Sequence, residues 1–244
     1  MSESCFAARL GRSVRLSGQE KHALATLEES ERAIRRGAVI AREHEAAHEL
    51  FVLKTGWMIS YVLLGDGSRQ ILRVHLPGDL IGMSGVVFGT AMETLAAVTD
   101  AVVCPFEASA LRRLFDEHPR IAAALFSLAQ LDRVGLTDRL VSVGRTSAKA
   151  RVAALLLETH ARLKLMDETI DDSFAFPLTQ EEIGDATGLT AVHVNRMIRA
   201  LVEERLIARS GNQVTLLDAA RLTDMTNHVD RYRPLDARWL PQSR

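Results

Sequence analysis

The stretch LTQEEIGDATGLTAVHVNRMIRAL, residues 178–201, predicts two short helices joined by a tight turn. Thr179 can cap the first helix, and Glu182 follows at the spacing of a capping box. Gly188 stands in the turn, where glycine accepts a positive φ at little cost. Because caps and turn agree in position, this stretch predicts a helix-turn-helix unit.

The second helix of this unit has two different faces. Thr190 can cap it, and Val194, Ile198 and Leu201 recur at i, i+4 and i+7, which predicts one buried stripe. The opposite face has small residues, His, Asn and Arg, and no acid; it consists of Ala191, Val192, His193, Asn195, Arg196 and Arg199. Such a face suits the major groove of DNA.

Helix-turn-helix spacing alone also fits an ordinary helical hairpin, and the residues after it decide between the two. In ARSGNQVTLL, residues 208–217, Gly211-Asn212 separates two β-prone runs and predicts a hairpin. Helix, turn, helix and hairpin make a winged helix. The run LTQEEIGDATGLTAVHVNRMIRALVEERLI, residues 178–207, with this wing, resembles the DNA-binding domain of the cyclic-AMP receptor protein and fumarate-nitrate reductase regulator (Crp/Fnr) family.

The resemblance implies a homodimer that binds double-stranded DNA, with one recognition helix for each half-site of a near-palindromic operator. RNA polymerase is a further expected partner. Arg196 matches the family's principal base-reading arginine and is expected to contact a guanine edge. Val192 stands where many relatives have a glutamate that reads a cytosine, and it can instead contact a thymine methyl group.

Other residues are expected to orient the helix through contacts to phosphate. These are Thr179, Gln180, Thr190 and Ser210, with Arg199 and Arg209 as further phosphate partners. His193 and Asn195 remain open between bases and phosphates.

The N-terminal half of the chain has the pattern of a β domain. Between residues 31 and 108, short apolar runs alternate with turn signals such as Asp66-Gly67, which favours a sandwich or rolled barrel. The run FVLKTGWMISYVLLGDGSRQILRVHLPGDLIG, residues 51–82, resembles the β-roll sensor domain of the same family. Ser109 is expected to cap the helix that follows the β region.

A long helix is expected from Pro119, because proline is tolerated in the first turn. The resemblance implies that this helix pairs with its two-fold mate, and the expected contact residues are Ile121, Leu125, Leu128, Leu131 and Gly135. GRTS, residues 144–147, predicts a hinge, with Ser147 capping the next helix. Residues 166–177 are expected to form an acidic surface loop.

The predicted fold class is α+β: a β-roll of the cyclic-nucleotide-binding type (a double-stranded β-helix), a long dimerisation helix and a C-terminal winged helix-turn-helix domain. The expected boundaries are 1–118, 119–144, 145–217, and a C-terminal extension at 218–244. In the extension we expect a short helix around 219–226. Tyr232, Leu235, Trp239 and Leu240 are expected to pack on their own domain or on a partner subunit.

The sensor-like domain lacks the residues by which cyclic-nucleotide binders of the family hold their ligand. Met83 replaces the ribose-binding glutamate, and Thr94-Leu95-Ala96 replaces the phosphate-binding Arg-Ser/Thr-Ala run. Adenine contacts from the long helix fall on Leu136 and Thr137. Burying a phosphate without its arginine costs about several kcal/mol, so we expect no physiological binding of cyclic AMP.

Other cofactors have little support in the sequence. The chain has two cysteines, Cys5 and Cys104, which is too few for a four-cysteine iron–sulfur cluster. Haem stays open only through single histidines, which are more often hydrogen-bonded or surface residues than axial ligands. No cofactor is therefore expected.

One motif supports an alternative of a different class. His44-Glu45-Ala46-Ala47-His48 matches H-E-x-x-H, in which two histidines of a helix bind zinc and the glutamate acts as base. Here the motif lies between β-prone runs, so neither a metal site nor a catalytic residue is expected. A β-roll metal enzyme and a protein-interaction module nevertheless remain alternatives to a regulator.

The composition indicates a globular protein, but the net charge neither supports nor excludes binding to DNA. The length of 244 residues allows two domains of ordinary size, and 47% hydrophobic and 25% charged residues with a net charge of −1 are typical of a globular protein. Binding to DNA must then depend on local charge. Few cysteines, no signal-peptide pattern and no apolar run of bilayer length predict a cytoplasmic protein.

Overall fold

The computed structural model describes residues 4–232 and 238–241, so the predicted contact residue Leu235 lies outside the described residues. The described residues divide into two compact units. The first holds residues up to 130 except 69–71, together with 238–241, and the second holds 69–71 and 131–232. This division falls after residue 130, whereas the sequence analysis puts the hinge at 144–147.

Two antiparallel sheets form the β region. The strands are β1 (Arg32–Ile34), β2 (Val39–Ala41), β3 (Glu49–Thr55), β4 (Met58–Leu63), β5 (Arg69–His75), β6 (Leu80–Ile81), β7 (Thr94–Ala97) and β8 (Ala101–Glu107). One sheet has the order β1-β8-β3-β6 and the other β2-β7-β4-β5. Consecutive strands lie in different sheets except β4 and β5, which are neighbours in one sheet, and this is the rolled topology that the sequence predicts.

Alternation along the strands builds the core of this roll. Phe51, Leu53, Met58, Leu95 and Val103 are buried together, and all of them belong to strands. At the corner between β3 and β4, Gly56 has φ +85° and a Cβ there would lie 2.4 Å from the Asp100 carbonyl oxygen. Only glycine fits this corner, because both the left-handed backbone and the close approach exclude a side chain.

Helices pack on the outside of the roll. They are α1 (Cys5–Gly11), α2 (Gly18–Ala25) with a 3₁₀ turn at Thr26–Glu28, α3 (Met83–Phe88), α4 (Ala108–Glu117) and the first part of α5 (Pro119–Arg145). Ser17 caps α2 in a complete capping box with Glu20. Phe6, Leu10 and Leu24 bury their side chains against Leu50 and Val52 of β3.

Two expectations for this region are corrected. Ser109 does not cap α4, because the helix starts at Ala108 and the Ser109 hydroxyl donates to the Glu107 carboxylate at 3.1 Å. Ile121 and Leu125 of α5 lie in the same core cluster as Phe6 and Leu10, and Ile121 is fully buried. These two residues therefore hold α5 to its own domain and do not form a free surface for a second copy.

The second unit contains the winged helix. Its elements after α5 are α6 (Ala148–Met166), β9 (Ser173–Ala175), α7 (Gln180–Thr187), α8 (Ala191–Glu203), β10 (Ile207–Ser210), β11 (Gln213–Leu216) and α9 (Ala219–Thr226). Ser147 caps α6 through the Ala150 amide, as predicted. The helix at 219–226 also agrees with the sequence analysis.

The predicted acidic loop at 166–177 is wrong in its second half. Residues Ser173–Ala175 form β9, which pairs with β11 and gives a three-stranded sheet of order β10-β11-β9. Phe174 and Phe176 are buried, and the Phe176 amide donates to the Asn212 carbonyl at 2.6 Å. Alternation in Ser-Phe-Ala-Phe was the signal for this strand, and the acidic residues before it obscured that signal.

Candidate nucleic-acid interface

Helix α7 is determined by local chemistry at both of its ends. The Thr179 hydroxyl accepts from the Glu182 amide at 3.1 Å, and the Glu182 carboxylate accepts from the Thr179 amide at 2.7 Å. Gly188 ends α7 with φ +68°. The predicted capping box and glycine turn are therefore both present.

A second glycine sets how closely the turn packs on α7. A Cβ on Gly184 would lie 2.3 Å from the Leu189 carbonyl oxygen, and the Leu189 amide donates to the Gly184 carbonyl at 3.0 Å. The sequence analysis did not identify this residue. A glycine inside a helical pattern was the available signal, because such a glycine often marks a close backbone approach.

The recognition helix α8 has the two faces that the sequence predicts. Val194, Ile198 and Leu201 are buried, and Thr190 caps the helix by accepting from the His193 amide at 3.3 Å. On the other face Ala191, Val192, Arg196 and Arg199 are exposed, while His193 and Asn195 are half-buried. Val192 is 82% exposed, which is unusual for an aliphatic side chain and fits a helix with a docking surface.

The charge of this face is positive. Its two arginines have no acid beside them within Ala191–Arg199, and the acids of the helix come only at its C-terminal end. There the Glu204 carboxylate accepts from Lys149 at 2.7 and 2.8 Å, so its charge is balanced within the unit. Among the residues that the structure describes, no carboxylate forms an ion pair with Arg196 or Arg199, so this face stays positive although the whole chain carries a net charge of −1.

One hydrogen bond links two residues of this face. The Arg196 Nη2 donates to His193 Nε2 at 2.9 Å, one helical turn away. Among residues 4–232 and 238–241, no other hydrogen bond of the Arg196 side chain is found. The sequence analysis treated these two residues separately and did not predict the pair.

Of the two predicted DNA-contacting residues on the wing, Arg209 is half-buried, whereas full exposure was expected for a phosphate contact. Ser210 is exposed at the end of β10, but Arg209 lines a small cavity with Ile183, Ile198 and Val214. Its Nε donates to the Gly211 carbonyl at 3.3 Å, and burial lowers the pKa of this guanidinium. Arg209 thus also packs against the domain, which the sequence analysis did not foresee.

The remaining predicted phosphate contacts lie at helix ends. Gln180 is half-buried at the start of α7, and Thr179 and Thr190 are exposed at their caps. Amide groups at helix N-termini attract anions, so these positions suit phosphate. The Thr179 hydroxyl, however, is also within 2.9 Å of the Glu182 carboxylate.

The second half of α5 presents apolar residues that the predicted set omits. Leu136, Leu140 and Val141 are 54%, 74% and 56% exposed. Leu128, Leu131 and Gly135 of the predicted set are half-buried. The four-residue spacing of Leu136 and Leu140 was a sequence signal for this surface, which we call the α5 apolar stripe (Leu136, Leu140 and Val141).

The β-roll has a partly open cavity of about 410 Å³, lined by residues from β2, β3, the 42–48 loop, the start of α3 and the segment that leads into β7. Glu45, Glu49 and Glu93 lie in its wall with Arg42 and His48. Burial raises the pKa of Glu93. The Glu49 carboxylate accepts hydrogen bonds from Arg32 at 2.9 and 3.0 Å, and the raised pKa of Glu93 favours its neutral form, so the cavity is rich in carboxyl groups without being strongly negative.

The residues on which the sequence analysis based its ligand argument lie elsewhere. Met83 packs against the helical core around Phe6, and Thr94 is buried on β7, where its hydroxyl accepts from the Glu43 amide at 3.1 Å. Glu93, which the sequence analysis missed, is adjacent to Thr94 and faces the cavity. Glu93, and not Thr94, is therefore the residue at this end of β7 that lines the cavity.

The His44–His48 motif does not have the geometry of a zinc peptidase. These residues lie in a turn and not in a helix, and His44 has φ 69° in the left-handed region. In the described parts of the chain, no group of three or more His, Cys, Asp or Glu is placed to hold a metal ion. Among the same residues no helix is both long and apolar enough to cross a membrane.

Comparisons with known proteins agree with this architecture. The Crp-like helix-turn-helix domain matches residues 150–225, and the cyclic nucleotide-binding domain matches residues 31–118. The chain is 32% identical over 186 residues to the nitrogen fixation regulation protein FixK of Bradyrhizobium diazoefficiens, covering 76% of this chain and 77% of that protein. It is 31% identical to the transcriptional activatory protein AadR of Rhodopseudomonas palustris over 180 residues, covering 73% and 74%.

Among solved structures, FixK2 from Bradyrhizobium japonicum matches with a TM-score of 0.72 and 30% identity, over 80% of this chain and 96% of that chain. A CRP-family transcriptional regulator from Thermus thermophilus matches with a TM-score of 0.64 and 26% identity, over 81% and 97%. The β-roll, the long helix and the winged helix-turn-helix are thus shared across the aligned length. The chain belongs to the Crp/Fnr family of DNA-binding transcriptional regulators.

Proposed function

We propose that two copies of this chain bind one near-palindromic operator, each placing α8 in the major groove of a half-site. The observation that carries this proposal is the exposed face of α8, which is positive, free of acids and held by a buried stripe of three aliphatic residues. Regulation without catalysis follows from this role, and the metal-enzyme alternative is not supported.

Within that face, Arg196 is proposed as the principal reader of a guanine edge. An arginine donates two parallel hydrogen bonds to guanine O6 and N7, and its exposed position on α8 allows this approach. Val192 is proposed to contact a thymine methyl group, because a large exposed aliphatic side chain loses water favourably there. Thr179, Gln180, Thr190, Arg199, Arg209 and Ser210 are proposed to contact phosphates, and Asn195 a base or phosphate.

The two copies are proposed to pair along α5. Exposed leucines at i and i+4 cost free energy in water, and a two-fold helix pair would bury them. We therefore add the α5 apolar stripe to Leu128, Leu131 and Gly135 as the pairing surface. Ile121 and Leu125 support this surface from within their own domain.

Cyclic AMP is proposed not to be the effector. The lining of the β-roll cavity includes Glu45, Glu49 and Glu93, and its one arginine, Arg42, is exposed, so a cyclic phosphate placed there would lack a buried cationic partner. A neutral or cationic ligand, a protein signal or control by abundance fits this chain better. RNA polymerase is proposed as the partner through which bound protein changes transcription.

Selection of bound duplexes from a random library, followed by mapping of bound sites in the genome, tests the proposal. The expected product is one inverted repeat whose half-sites lie about 10–10.5 base pairs apart, or a multiple of that spacing. Enrichment of no sequence would contradict a regulator and would favour the protein-interaction module. Enrichment of a single half-site would contradict the dimer.

A further inference from the structure

In the hydrogen bond between His193 and Arg196, only Arg196 can be the donor. A guanidinium group donates hydrogen bonds and accepts none, so His193 Nε2 must be the acceptor at 2.9 Å. The imidazole is then neutral and carries its proton on Nδ1. His193 therefore holds Arg196 without cancelling its positive charge, which a carboxylate in the same place would do.

The His193 side chain has no evident structural task in α8. The capping interaction at Thr190 uses the His193 backbone amide, not the ring. The buried stripe of the helix consists of other residues, and the His193 side chain is half-buried. Its one assigned side-chain hydrogen bond, among the residues that the structure describes, is the one to Arg196.

We infer that His193 is a positioning residue, which orients the Arg196 guanidinium toward the base edge before DNA arrives. An unrestrained arginine on an exposed helix must lose its rotamer freedom on binding, and a hydrogen-bonded one has lost part of it already. Base discrimination at the pair that Arg196 reads therefore depends on His193. This inference rests on the proposed reading role of Arg196 and adds a residue that acts through it.

Two substitutions separate positioning from other roles. The side-chain oxygen of glutamine is as many bonds from Cα as His193 Nε2, so His193→Gln keeps an acceptor at that reach. His193→Asn places its oxygen one bond nearer the backbone, so the Arg196 guanidinium can meet that oxygen only by moving back toward the helix. Both variants keep the backbone amide that Thr190 caps.

The experiment uses the full-length protein and duplexes derived from its selected operator, with each half-site base pair changed in turn. At the pair where Arg196→Ala loses its preference, His193→Asn is expected to lose about three- to tenfold of discrimination, while His193→Gln keeps it. Preferences at other base pairs stay unchanged. In an Arg196→Ala background, His193→Asn has no further effect.

Other results overturn the inference. If His193→Asn and His193→Gln both match the original protein, or if both lose discrimination equally, an acceptor at Nε2 has no positioning role. If His193→Asn changes the preference at another base pair, or still acts without Arg196, then His193 contacts DNA itself. Failure of the proposed function is seen separately, in a protein with His193 intact that selects no sequence or an Arg196→Ala variant that keeps every preference.

Discussion

The exposed face of α8 and the cavity of the β-roll differ in charge and in how their residues relate to the family pattern. On α8 the proposed base-reading residue, Arg196, is exposed and has no adjacent acid. In the cavity the wall holds Glu45, Glu49 and Glu93, and burial raises the pKa of Glu93. If the proposed roles hold, the DNA-binding end of this regulator keeps the residue types of the family pattern, while its ligand-binding end does not.

The difference between the two surfaces follows from what each one binds. DNA presents the same phosphates and base edges to every protein, so a positive helix face remains useful with small changes in its specificity. A cavity has no such constant partner, and a single carboxylate at its wall reverses the class of ligand that it can hold.

The largest effect is expected from breaking the α5 apolar stripe, because the face of α8 acts in pairs. Leu136→Glu puts a charge into the proposed two-fold contact, and operator affinity should fall about 100-fold or more as the second half-site is lost. Leu217→Glu is the matched control, since both leucines are 54% exposed in the second unit. Sedimentation and operator titration give the result, and a dimeric Leu136→Glu protein would refute the pairing surface.

Arg196→Ala tests the face of α8 directly. Losing a two-bond contact to guanine should reduce operator affinity by about 5- to 150-fold, which corresponds to about 1–3 kcal/mol, while non-specific binding changes little. Arg199→Ala serves as comparison, because loss of the phosphate contact proposed for Arg199 should weaken binding to all duplexes alike and lower the salt dependence. If Arg196→Ala and the original protein bound the operator with equal affinity, the proposal that Arg196 reads a guanine edge would be refuted.

Gly184→Ala tests whether the turn that precedes α8 depends on the close backbone approach at Gly184. The added Cβ would lie 2.3 Å from the Leu189 carbonyl oxygen, so the turn must shift, and the free energy of unfolding of this domain should fall by about 1–3 kcal/mol. Gly144→Ala in α5 has no atom within 4 Å of the new Cβ, and it should be neutral or stabilising. Denaturant unfolding compares the two, and equal stabilities would contradict the close approach.

Arg209→Ala should weaken binding to every duplex by a smaller factor of about two to five and should also lower stability slightly. The loss of stability is expected because Arg209, although on the wing strand β10, also packs beside Ile183 and Ile198. Gel shifts at several salt concentrations, together with thermal unfolding, separate the two effects. A change confined to one operator sequence would show instead that Arg209 reads bases.

The smallest effect is expected on adding cyclic AMP, which tests whether the β-roll cavity binds a cyclic phosphate. A ligand that binds the folded protein raises its unfolding temperature by mass action, and millimolar cyclic AMP should give no shift here. Titration calorimetry provides the second measurement. Micromolar affinity with two sites per dimer would show that the carboxyl-rich wall of the cavity does not exclude a phosphate.

Much of the DNA-binding end was predictable because its signals are local. Caps at Thr179, Thr190 and Ser147 and the turn at Gly188 depend on residues within one helical turn, and each lies where the pattern predicts it. The alternation of short strands likewise predicted the rolled sheets. The errors arose where a local signal was weak or hidden, as at Ser109 and in the strand Ser173–Ala175.

By itself the sequence determined the helix-turn-helix, the β-roll and the family, because periodicity, caps and turns act over a few residues. Only the tertiary structure decided which side of α5 is buried, since Ile121 and Leu140 are equally apolar and their burial depends on distant helices and strands. It also decided that Glu93 faces the cavity and that His193 contacts Arg196. Side-chain direction and partner choice arise from packing in three dimensions, and residue type alone does not encode them.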